Sequence, residues 1–96
     1  MTALQSRLDR KAKEFAQNAQ AMDKAVADLD ALLAQVRLGG DEAARKRHTE
    51  RGKLLPHARV EALLDKDSRF FELSPLAAHG VYDEPVPAAG LITGSA

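Results

Sequence analysis

The residues of this chain with the types and spacing for chemistry crowd into one short stretch. Arg45, Lys46, Arg47, Arg51 and Lys53 stand against the single acid Glu50, in a chain whose formal net charge is zero. Guanidinium and ammonium groups beside a glycine suit a phosphate or carboxylate. Arg51 and Lys53, on either side of Gly52, are therefore the candidate ligand contacts. The same cations also complement the negative end of a helix dipole, which explains them with no ligand. Nucleic acid ranks last as a partner, because no aromatic residues interleave with the basic ones and positive charge does not spread over a whole domain.

The remaining chemical groups form no constellation. His48, His57 and His79 are not at metal-ligand spacing with one another or with acids, so each reads as a surface or loop histidine. Asp65 and Asp67 lie in a turn cluster, but a calcium loop needs glycine at its sixth position and a terminal glutamate. Those positions hold Phe70 and Leu76. Ser74 precedes Pro75 without elbow glycines, which argues against a nucleophile. Catalytic residues and metal ligands are accordingly none, and without cysteine there is neither disulfide nor thiolate site.

The elements that would carry these residues follow from local signals. From Ala3 to about Leu38 no proline or glycine intervenes, so one long helix is predicted. Leu8, Ala12, Phe15, Ala19, Met22, Val26, Leu29, Leu33 and Val36 alternate steps of four and three. That is a heptad seam, stronger in its second half and expected to fray before about residue 15. It suits either a dimer partner or the helix's own subunit, and the sparse e/g charge pattern favours the subunit.

Gly39-Gly40 stops this helix, and Asp41 can cap a second from about Glu42 to Arg51. Gly52 ends that one, and Pro56 fits the first turn of a third, with Val60, Leu63 and Leu64 on one side. Phe70-Phe71-Glu72-Leu73 is a short strand candidate. Leu91-Ile92-Thr93 begins a second strand, which is expected to run out at Ala96 without a partner. The organisation read from these signals is a long helix over 1–38, a helical hinge region over 39–65, and the start of a truncated α/β domain over 66–96.

Ninety-six residues, 45% hydrophobic and 29% charged, make at most one small domain with a thin aliphatic core. No apolar run approaches the ~20 residues of a membrane helix. Asp9 and Glu14 disfavour an organellar leader, so a bacterial cytoplasmic protein is expected ahead of a mitochondrial-matrix one.

Arg51-Gly52-Lys53-Leu54-Leu55-Pro56, followed by Arg59-Val60 and Leu63-Leu64-Asp65, resembles the start of the carboxyltransferase (β) subunits of biotin-dependent acyl-CoA carboxylases. Further blocks agree in order and spacing from Gly39 to Gly94, among them His48-Thr49, Ser68, Phe70, Glu72-Leu73 and Tyr82-Asp83. Leu73-Ser74-Pro75-Leu76-Ala77-Ala78 and Gly90-Leu91-Ile92-Thr93-Gly94 favour the methylcrotonoyl over the propionyl type, and the geranoyl type is also similar. Two departures stand out: His57 occupies a position where the family typically has arginine, and Ser95-Ala96 leaves the family's usual continuation.

The resemblance implies a ligase of leucine degradation that moves a carboxyl group from carboxybiotin to the γ-carbon of an unsaturated acyl-CoA. Developing charge in such sites is held by preorganised backbone N–H groups. In this family these come from glycine-rich crotonase-like segments outside the present residues. It further implies biotin carried on a partner α subunit, an acyl-CoA substrate, and contacts with α and other β subunits. The fold expected is a mostly α fragment, with the long helix, two short helices and the first strands of an incomplete crotonase-like α/β domain. Such an N-terminal fragment is expected to be inactive alone. The rival expectation is a stand-alone helical module that self-associates through the Leu8–Val36 seam.

Overall fold

The computed structural model describes residues 2–96 and divides into two compact units, Met1–Asp30 and Ala31–Ala96. The element order is α1 (Lys13–Leu38), α2 (Glu42–Glu50), α3 (Pro56–Leu63), β1 (Phe71–Leu73), a 3-10 turn (Pro87–Gly90) and β2 (Thr93–Ser95). Helices of 26, 9 and 8 residues against strands of three make the chain mostly helical, with one two-stranded sheet.

In the first unit, α1 begins at Lys13 rather than near Ala3. The reason is local competition for backbone groups. Ser6 Oγ accepts the Leu8 N–H at 3.2 Å, and Asp9 Oδ1 accepts the Lys11 N–H at 3.0 Å. Such side chains offer the backbone an alternative to the helix. Leu4 and Leu8 are exposed and bury nothing that would reward helix formation. Along the helix, Met22, Val26 and Leu29 of the seam are also exposed. Lys24 and Asp28 form an exposed ion pair at 3.0 Å, which contributes little.

In the second unit, the helix ends and reversals follow short-range chemistry. Gly39 adopts φ 78° and donates its N–H to Val36 O at 3.1 Å, closing α1. The Asp41 carboxylate caps α2 through the Ala44 N–H at 2.6 Å, and Arg45 Nε reaches back to Gly40 O at 3.2 Å. Pro56 occupies the first turn of α3, with the Arg59 N–H bound to Leu55 O. Asp65–Ser68 is a turn with Asp67 at φ 64°.

The second strand does have a partner, which corrects the expectation of an unpaired end. It pairs antiparallel with β1, and Phe71 faces Ser95, Glu72 faces Gly94 and Leu73 faces Thr93. Gly94 is required by close approach: a Cβ there would run into the Phe70 ring and the Phe71 carbonyl. Only Val36 and Ala88 are buried among the described hydrophobic residues, so the core is as thin as the composition predicts.

Candidate functional site

In β1 the usual sheet pattern is inverted. Phe71 and Leu73 are exposed, and the residue between them, Glu72, turns inward. Its carboxylate meets His57, held by the first turn of α3, with His57 Nε2 3.1 Å from Glu72 Oε2. The His57 and Glu72 side chains are 18% and 8% exposed. His57 is thus a paired, half-buried group rather than the lone loop histidine its spacing suggests. The contact joins residues fifteen positions apart, so no local spacing rule reports it. The available signal was the inward-turned glutamate of an otherwise apolar strand.

Two buried polar atoms of this pair, His57 Nδ1 and Glu72 Oε1, have no hydrogen-bond partner. Both side chains line an open cavity of about 610 Å³ that α3 and the turn before β1 help to wall. Its charged lining is Glu61, Asp65, Asp67 and Glu72 against Arg37 and Lys66, an acidic balance. His57 also borders a second cavity of about 300 Å³, together with Val36, Pro56 and Ala88. Ala88 and the adjacent Ala89 sit in the left-handed region at φ 51° and 52°, a conformation held by the Ala89 N–H bond to Ala77 O at 3.1 Å.

The basic cluster is dispersed in use. Arg45 is a structural clip to Gly40, and Lys46 lies 3.9 Å from Glu50. His48 donates from Nε2 to Leu54 O at 2.8 Å and braces the loop after α2. Arg51 caps the end of α2, and both it and Lys53 are exposed to solvent, away from the His57–Glu72 pair in their hydrogen bonding. The sequence-derived candidates and the buried pair are therefore separate features. Among the described residues, no group of three or more His, Cys, Asp and Glu is placed to hold a metal ion. Among the described residues, no helix is long and apolar enough to cross a membrane.

No protein-family model matches the chain. Direct comparison with curated proteins defines its class: the chain belongs to the β-subunit family of biotin-dependent acyl-CoA carboxylases. Three of the relatives carry methylcrotonyl or methylcrotonoyl names. Over 69 residues, 72% of this chain, it is 59% identical to the biotin-dependent 3-methylcrotonyl-coenzyme A carboxylase beta1 subunit of Mycobacterium tuberculosis. It is 45% identical over 87 residues (91% of the chain) to the mitochondrial methylcrotonoyl-CoA carboxylase beta chain of Arabidopsis thaliana. Identity is 46% over 92 residues (95% of the chain) to the probable counterpart in Drosophila melanogaster. The chain spans 13%, 15% and 16% of these relatives' lengths.

Proposed function

We propose that this chain forms the amino-terminal helical layer of the carboxyltransferase subunit of a methylcrotonoyl-CoA carboxylase. The observation that carries this reading is the 59% identity over 69 residues with the mycobacterial β1 subunit. That relative is bacterial, which also favours a bacterial cytoplasmic setting. In this reading residues 66–96, with β1 and β2, open a crotonase-like domain. The subunit as a whole transfers a carboxyl group from carboxybiotin, carried by a partner α subunit, to 3-methylcrotonoyl-CoA.

The residues of this chain do not fit carboxybiotin. The cavity beside Glu72 is acidic and repels the anionic carboxyl donor, so no step of the transfer is assigned to them. Arg51 and Lys53 are different. They are exposed cations flanking Gly52, which sits at φ 75°, and they suit the phosphates of coenzyme A.

Two measurements test this reading. The subunit containing this chain, assembled with its biotin-carrying partner, should fix labelled bicarbonate into 3-methylcrotonoyl-CoA faster than into propionyl-CoA or geranoyl-CoA. The 96-residue chain alone should fix none. Faster turnover of propionyl-CoA would reassign the type. In the same assembly, Arg51→Ala or Lys53→Ala should raise KM for acyl-CoA roughly tenfold with kcat little changed, as expected for loss of one charge-assisted contact. The difference should shrink as salt rises. An unmoved KM with a lowered Tm would make both residues structural.

A second reading rests on a separate observation. Met22, Val26 and Leu29 are 64%, 47% and 44% exposed along one face of α1, as a self-associating helical module requires. Sedimentation equilibrium of the chain at micromolar concentration distinguishes the two. A monomer rejects the module, and a dimer dissociated by Val26→Glu supports it.

A further inference from the structure

The cavity beside α3 contains a contact that its own residues leave unmade. Glu72 Oε2 is engaged by His57 at 3.1 Å, while Oε1, on a side chain only 8% exposed, has no partner. A buried carboxylate oxygen without a donor is strongly disfavoured. The imidazole nitrogen facing the carboxylate has one N–H to give, and it is already used on the other oxygen. A ligand for this site must therefore bring donors. It must also be positive, because four carboxylates face the cavity against two cations.

The rest of the lining narrows the class further. Leu38, Leu55, Val60 and Leu64 supply apolar wall, which suits a charged head on a methylene stem. A guanidinium offers a planar fork of donors to a carboxylate and is weakly hydrated, whereas an ammonium is a compact and strongly hydrated point charge. A divalent cation lacks ligands here, since no set of three or more suitable side chains gathers among the described residues. We propose that this cavity is a docking site for an arginine side chain of another protein segment, whose guanidinium donates to Glu72 Oε1. The proposal rests on the unpartnered Glu72 oxygen and the cavity lining, and it stands whether or not the subunit acts on 3-methylcrotonoyl-CoA.

The test uses the whole chain and three blocked tripeptides, Gly-Arg-Gly and its citrulline and lysine counterparts, followed by NMR shifts of Glu72, His57 and Ser68. The arginine peptide should saturate those signals at millimolar concentration. The citrulline and lysine peptides should bind at least tenfold more weakly. Glu72→Gln should weaken the arginine peptide by at least tenfold, because the charged acceptor is gone. Should that variant unfold, His57→Arg provides the second arm. A guanidinium supplied from within occupies the carboxylate, so the peptide should lose binding while the α2 signals stay native. Equal affinity for citrulline and arginine peptides would overturn the proposal. So would shifts confined to the exposed Asp65 and Asp67, or no saturable shift at all.

Discussion

In the Met1–Asp30 unit, Met22, Val26 and Leu29 stand 44–64% exposed, whereas in the Ala31–Ala96 unit Val36, on the same heptad seam, is 8% exposed. One periodicity yields two outcomes. Val36 lies three residues before Gly39, where the chain reverses, and it shares a cavity wall with Pro56 and Ala88. The seam before Asp30 has no reversal after it within its own unit. Apolar spacing selects a helix face, but whether that face is covered depends on chain returning to it.

The largest effect that sharpens this contrast is expected at Gly94. A Cβ there meets the Phe70 ring and the Phe71 carbonyl, so Gly94→Ala should cost about 3 kcal/mol through overpacking. Hydrogen exchange should show lost protection over β1 and β2 and unchanged exchange over Lys13–Asp30. A change of equal size in both units would break the comparison. Val36→Ala should cost about 2 kcal/mol, and Val26→Ala under about 0.5 kcal/mol, by denaturant melts of the two variants. Similar losses at both sites would mean that the exposed seam is covered in solution. Asp41→Ala should cost about 1 kcal/mol by removing the bond to the Ala44 N–H, read as fraying of α2 alone.

The smallest effect is expected at Lys24→Ala. The Lys24–Asp28 pair is solvent-exposed at both ends, and its loss should leave Tm nearly unmoved while slightly reducing helicity at low salt.

Much of the local structure was legible in the chain. The Gly39 stop, the Asp41 cap, the Gly52 break and Pro56 at the start of α3 each involve partners within about four residues, so the sequence around them carries the whole interaction. The start of α1 was misplaced because propensity favoured Ala3. Ser6 and Asp9, whose side chains take backbone N–H groups in the structure, decided otherwise. Family membership was also legible, because blocks in fixed order survive without any knowledge of the fold.

What composition and spacing determined by themselves were the presence of three helices, most of their ends and the thinness of the core, while the class of protein came from the resemblance of its sequence blocks to a known family. What only the tertiary structure decided was the pairing of Phe71–Leu73 with Thr93–Ser95, the inward turn of Glu72 and its contact with His57. The physical reason is separation along the chain. A cap is settled by dihedrals a few residues apart, but these contacts close loops of fifteen residues or more, and their gain depends on everything packed between the two ends.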